Sequence, residues 1–246
     1  MSLDGSTVNV EDKPLLWIEE TYYNTYKGNT FVLPTNSGND IWAGDAVDYA
    51  AVAIIIIENK SLTTDFTSTL LSKFRNLSRL LLSQNSITTV DVTNNPLLER
   101  LFVGNTNVSS IDLSNNPLLI NFGAGNANLS TLDLSNNPLL TELRIWGNNL
   151  STIDLSNNPL VETLELFANT NITNIDLSNN TLLTYVRTQS TKSDELVNSQ
   201  MLIDLDGHGL SNGYFQSSIF GGGSLTTAGT TAKTNLQGKG WTIVGI

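Results

Sequence analysis

One block recurs along the middle of the chain: VDVTNNPLL, IDLSNNPLL, LDLSNNPLL, IDLSNNPLV and IDLSNNTLL. Its aspartates stand at 91, 112, 133, 154 and 176, so the step is 21 residues three times and 22 once. A fixed period of this size specifies a solenoid, because no unit can bury its apolar side alone and each must stack on its neighbours. Within one period a single pattern is spelled twice. Leu129, Leu132, Leu134, Asn137 and Leu139 follow L-x-x-L-x-L-x-x-N-x-L, and Leu140, Leu143, Ile145, Asn148 and Leu150 repeat it eleven residues later.

In L-x-L the two leucines point to the same side of an extended segment and the residue between them points away. An asparagine three places after the second leucine ends the segment and turns inward. There its amide serves backbone groups that burial would otherwise leave unpaired. Asn95, Asn116, Asn137, Asn158 and Asn180 form one such column; Asn85, Asn148 and Asn169 form a second, interrupted by Thr106 and Ala127. Each coil is therefore expected to have two straight sides around a thin apolar core, as two parallel sheets or as one sheet facing a strand-like ladder. Helix is not expected on the far side, since the Asn-Asn-Pro turns break it and eleven residues are too few for both a strand and a helix.

The L-x-x-L-x-L-x-x-N-x-L motif resembles the leucine-rich-repeat family over residues 54–190, and within it the internalin-like bacterial surface proteins. The resemblance implies a leucine-rich-repeat solenoid of parallel strands, with 21–22 residues per coil, little helix in the repeats and capping units at both ends. Ile54, Ile56 and Asn59 read as an entry coil, and residues 62–73 as a longer, helical connection to the next. Residues 1–53 lack the repeat and are rich in aromatics, which suits an N-terminal cap or a docking segment. Residues 191–246 read as a C-terminal capping unit. It has a helix in SDELVNSQMLIDLDGHG capped by Ser193 with Leu196, Met201 and Leu202 inward, a strand in GYFQSSIFGGG, a second helix, and a last strand in WTIVG. That unit resembles C-terminal units of bacterial surface repeat proteins and of some phage structural proteins.

The two outward ladders differ. One side is monotonous: Thr or Ser, then Asp, then Ser or Thr, coil after coil. Adjacent carboxylates about 4.8 Å apart repel by about 1 kcal/mol in water, and the flanking hydroxyls offset this by donating to them. Oxygen ligands alone would suit calcium, but the glycine-rich nonapeptide turns of calcium solenoids are missing, so the ladder reads as structural. The other side varies: Arg79, Leu81 and Ser83; Arg100, Phe102 and Gly104; Asn121, Gly123 and Gly125; Glu142, Arg144 and Trp146; Thr163, Glu165 and Phe167. Tyr185, Arg187 and Gln189 continue it with the register open by one residue. Uniformity suits a scaffold, and variation confined to outward positions suits recognition. Aromatic and arginine side chains are the material of binding hot spots. The expected ligand contacts are Arg100, Phe102, Glu142, Arg144, Trp146, Glu165, Phe167 and Arg187, and the expected ligand is a protein or a glycan.

Composition narrows the alternatives. The 246 residues carry a net charge of −11, which opposes nucleic acid and anionic membrane surfaces. There is no cysteine for a disulfide or a thiolate site, and the longest apolar run, residues 50–57, is too short to span a bilayer. The one histidine, His208, lies between glycines in DLDGHG, reads as a solvated turn, and has no nucleophile placed beside it. The GGG at 221–223 is not followed by Lys and Ser or Thr, so no phosphate loop is present. No enzyme and no cofactor are expected. The opening MSLDGSTVNVEDKP lacks the features of a signal peptide. The reading is therefore a recognition or adhesion module, at a bacterial surface or extracellular if a leader was removed. Its alternative is a structural protein of a phage virion, with the repeats as spacer and the ends contacting neighbouring structural proteins. Self-association through exposed end strands is compatible with both.

Overall fold

A computed structural model describes residues 15–18, 54–58, 63, 71–189, 195–218 and 224–246. Ten strands form one parallel sheet in chain order. They are β1 (Leu15–Ile18), β2 (Ile54–Ile57), β3 (Arg79–Leu81), β4 (Arg100–Phe102), β5 (Asn121–Gly123), β6 (Glu142–Arg144), β7 (Thr163–Glu165), β8 (Tyr185–Arg187), β9 (Tyr214–Gln216) and β10 (Thr242–Val244). The middle residues of β3 to β9 lie in register and point inward. Leu80, Leu101, Phe122, Leu143, Leu164, Val186 and Phe215 are all fully buried. The core is thus a line of stacked apolar layers, one per coil, as the repeat requires.

The described residues form one sheet, and the far side, expected as a second sheet or a strand-like ladder, is a ladder of turns. The sheet forms on the varied side. Opposite it, each coil makes two consecutive tight turns: Asn95 N–H donates to Val92 C=O and Leu98 N–H to Asn95 C=O, and the same pair recurs around Asn116, Asn137, Asn158 and Asn180. Proline at positions 96, 117, 138 and 159 has no N–H to give to a ladder. The inward asparagines link the coils instead. Asn137 Nδ2 donates to Leu113 O (3.1 Å) and Asn116 O (2.9 Å), and Asn158 Nδ2 to Leu134 O (3.0 Å) and Asn137 O (2.9 Å). The Oδ1 atoms of this column are buried and make no hydrogen bond among the described residues.

The second asparagine column turns the chain out of each strand. One residue before it the backbone is left-handed, at Gln84, Asn105, Asn126, Gly147 and Ala168, with φ between 53° and 66°. Asn148 and Asn169 then bond carbonyls in their own coil and the preceding one. Where Ala127 interrupts the column, Asn148 reaches back and its Oδ1 accepts from Ala127 N–H (3.1 Å) and Leu129 N–H (2.9 Å).

The entry coil corrects the sequence reading by one residue. Ile55, not Ile54 or Ile56, stands in register with Leu80, and Ile55 is fully buried. A run of four isoleucines carries no alternation, so parity cannot be read from it. The expected 62–73 helix and the Ser193 cap fall largely or wholly outside the described residues, as does most of segment 1–53.

Past the repeats, α1 (Glu195–Gly207) and α2 (Thr227–Gly238) pack together, and β9 and β10 extend the same sheet. Met201 and Leu202 are buried as expected, but Leu196 is 63% exposed. At 100° per residue it lies opposite the face formed by Asn198, Met201, Leu202 and Leu205. Gly229 fits α2 against α1, since a Cβ there would stand 2.5 Å from Ser199 Cβ. Thr226 caps α2 by accepting from Gly229 N–H (3.1 Å).

Candidate recognition face

Short strands with one inward residue leave two side chains per strand on the outer face, and the residue two places further on extends each row. The first row runs Arg79, Arg100, Asn121, Glu142, Thr163, Tyr185 and Tyr214; the second runs Leu81, Phe102, Gly123, Arg144, Glu165, Arg187 and Gln216. The longer unit before β8 does not shift the register, so Tyr185 and Arg187 continue the ladder directly.

Six of the eight expected contacts, Glu142, Arg144, Trp146, Glu165, Phe167 and Arg187, form one connected patch. Glu142 Oε1 lies 2.5 Å from Arg144 Nη1, and its Oε2 accepts from Asn121 Nδ2 at 3.2 Å. Glu165 stands 4.0 Å from both Arg144 Nε and Arg187 Nη1. These pairs are partly exposed, so each contributes at most about 1 kcal/mol; their consequence is that both arginines are neutralised in place. Trp146 and Phe167 stack with centroids 5.2 Å apart and planes within 2°. The Arg187 guanidinium lies 4.3 Å from the other face of Phe167.

Glycines explain where these rings can lie. A Cβ on Gly125 would sit 2.3 Å from Trp146 Cε2, and one on Gly123 would sit 2.5 Å from Phe102 Cδ1. The indole therefore rests on bare backbone on one side and on Phe167 on the other. Phe102 leans over β5 from the opposite direction, apart from the Trp146 cluster. Arg100, the remaining expected contact, joins neither group. It is exposed, and neither it nor its register partner Arg79 makes an ion pair or side-chain hydrogen bond among the described residues.

Sequence reading missed the extension past the repeats. Tyr214 stacks on Tyr185 at 5.0 Å, and Gln216 Oε1 accepts from both Arg187 Nε (3.1 Å) and Tyr214 Oη (3.0 Å). The available signal was the alternation in Tyr-Phe-Gln, which has the outward-inward-outward order of the preceding strands.

On the opposite side, each aspartate accepts from the serine or threonine two residues on. Ser135 N–H donates to Asp133 Oδ1 at 2.9 Å, and Thr93 Oγ1 to Asp91 Oδ1 at 2.6 Å. These hydroxyl and backbone hydrogen bonds hold Asp112, Asp133 and Asp154 below the ordinary carboxylate value of 3.8, against repulsion from neighbouring aspartates at Asp112 and Asp133. A folded value below the unfolded one means stability that is present above about pH 4 and lost as pH falls through the folded value. The melting temperature is accordingly expected to drop on acidification below pH 4, and to drop less in Asp133→Asn/Asp154→Asn, which keeps both acceptors but cannot titrate. Equal acid sensitivity of variant and parent in a thermal melt series would refute this.

Among the described residues no three His, Cys, Asp or Glu side chains gather to hold a metal ion, and no helix is long and apolar enough to cross a membrane. His208 lies in the turn that follows α1, as expected, and is half-buried, but both ring nitrogens are buried without a hydrogen-bond partner among the described residues.

Comparison with known proteins agrees with this geometry. The Leucine Rich Repeat family model matches residues 128–149 and 149–170. No curated protein matches the sequence. Among solved structures, the functional domain of InlJ from Listeria monocytogenes, which includes a cysteine ladder, is 28% identical with a TM-score of 0.60, covering 70% of this chain and 36% of that one. An internalin C2 of the same organism shares the fold at 16% identity and a TM-score of 0.65, over 84% of this chain and 87% of that one. A Leptospira interrogans leucine-rich-repeat protein does so at 13% identity and 0.59, over 75% and 53%. The chain thus spans only about a third of the InlJ chain it resembles. Where that solenoid includes cysteines, this one has none and stacks asparagine and leucine columns. The chain thus has a leucine-rich-repeat fold, with the family model matching two of its repeats, and it is similar to the internalin-like solenoids of bacteria.

Proposed function

We propose that the chain is a non-enzymatic recognition module that binds a protein through the varied face of its sheet, outside a bacterial cell. The observation that carries this is the stack of Trp146, Phe167 and Arg187, held on the outer face by Glu165 and Gln216. Rigid aromatic and arginine groups fixed before binding lower the entropy cost of association. The stack also favours a protein over a glycan. Sugar rings lie flat on an open aromatic face, whereas Phe167 is covered on both faces and Trp146 lies between Gly125 and Phe167. The Arg144, Arg187 and Glu142 side chains are partly exposed beside the stack, which suits peptide groups and side chains. The likeness to internalin-like solenoids supports placement at the bacterial exterior.

The test is to probe arrays of surface proteins and of glycans with the tagged chain, then repeat with Trp146→Ala and Phe102→Ala. The expected result is protein hits that weaken tenfold or more in the Trp146 variant, measured at a temperature where a thermal melt shows both variants still folded. Hits confined to glycans would overturn the choice of protein. A ligand held equally by parent and both variants would overturn the face.

A further inference from the structure

We infer that the β3–β4 end of the varied face is an anchor for an acidic polypeptide segment, with Arg79 and Arg100 as its carboxylate-binding pair. The inference rests on the varied face being the binding surface and names the chemistry of what it takes.

Four arginines stand on this face against two glutamates, in a protein whose net charge is −11. The two glutamates are already committed, Glu142 to Arg144 and Asn121, and Glu165 to Arg144 and Arg187. Among the described residues Arg79 and Arg100 are left over. They occupy directly adjacent register positions, one strand spacing or about 4.8 Å apart at the backbone, where like charges oppose each other. The neighbours that would neutralise them do not. On one side the register partner of Arg79 is Ile54; on the other, Arg100 meets Asn121, which turns its amide to Glu142. The molecule therefore builds internal partners for Arg144 and Arg187 and leaves this pair open.

The row beside the pair sets the rest of the partner's character. Leu81 and Phe102 are in register with each other and half-buried, so an apolar strip runs alongside the two guanidiniums. Paired carboxylates next to large apolar side chains match both rows. A nucleic acid offers a regular polyanion instead, and would meet only two open cations on a protein that otherwise repels it. Guanidiniums bind carboxylates through two parallel hydrogen bonds, which makes arginine rather than lysine the fitting residue.

The test uses a random dodecapeptide display library panned on the immobilised full chain. The selected pool is expected to be enriched in Asp and Glu, to bind Arg79→Ser/Arg100→Ser at least tenfold more weakly, to lose affinity steeply with salt, and to recover only in part on Arg79→Lys/Arg100→Lys. Neither arginine has a partner among the described residues, so both double variants are expected to melt as the parent does, and a thermal melt checks that. A pool without acidic enrichment, a pool that binds the serine variant undiminished, the absence of any pool above background, or tighter binding of single-stranded DNA than of the pool at equal salt would each overturn the inference. An acid-poor pool that is lost on Phe102→Ala or Trp146→Ala sinks the acidic partner alone and leaves the face intact. A pool indifferent to all four positions sinks both.

Discussion

Truncating Phe122 to alanine is expected to destabilise the protein by about 3–5 kcal/mol, the range for emptying a well-packed aromatic site. Phe122 is fully buried at the middle of β5, in register between Leu101 and Leu143. Its position amplifies the effect, because a solenoid is held by contacts between successive coils, and a cavity at one layer weakens both of its interfaces. The strand is also poorly supported on its other face, where Gly123 and Gly125 contribute no side chain and depend on Phe102 and Trp146 leaning over them. Urea unfolding followed by circular dichroism measures the loss. Leu139→Ala is the control: the same repeat, an apolar residue, but 40% exposed on the turn, with a cost expected to be well below half as large. Equal costs for the two would mean that the layered core is not where the stability resides.

Asn148→Ala is expected to cost about 3–4 kcal/mol and to exceed Asn137→Ala, although both asparagines are buried and occupy matching places in the motif. Asn148 donates to Ala124 O, Ile145 O and Trp146 O, and accepts from the N–H groups of Ala127 and Leu129. Removing it strands two backbone donors in the coil where Ala127 has no side chain to offer, and each stranded group costs about 1–3 kcal/mol. Asn137 donates to Leu113 O and Asn116 O, but those carbonyls also accept from Asn116 N–H and Leu119 N–H, and its own Oδ1 is unpartnered. Its loss orphans nothing, and about 1–2 kcal/mol is expected. Stability measurements on the two variants decide the order; a larger loss for Asn137→Ala would contradict this account of the columns.

The 21-residue period, with its inward leucines and asparagines, determined much of the molecule in advance. A repeat that alternates apolar and polar positions can satisfy itself in few ways, and stacking fixes the same face inward in every coil. That is why Leu80, Leu143 and Asn158 are buried and why Arg100, Glu142 and Glu165 stand on the outer side of the sheet. Where the alternation fails, so does the reading: four successive isoleucines hid the parity of β2, and an apparently inward Leu196 lies on the wet side of α1. Tyr214 and Gln216 joined the face unforeseen because their strand lies beyond the repeat.

Two matters were settled only in three dimensions. Both halves of each coil spell the same pattern, yet one half pairs its backbone into a sheet and the other closes into turns bridged by asparagine amides. Alternation fixes which way a side chain points, while pairing depends on which backbone groups meet across coils. The outward arginines also look alike in the sequence, and only the packed side chains separate Arg144 and Arg187, held by glutamates, from Arg79 and Arg100, left open. Period and polarity are properties of a chain read in order. Charge neutralisation and ring stacking depend on separations of a few ångströms between residues about 20 positions apart, and folding alone sets those.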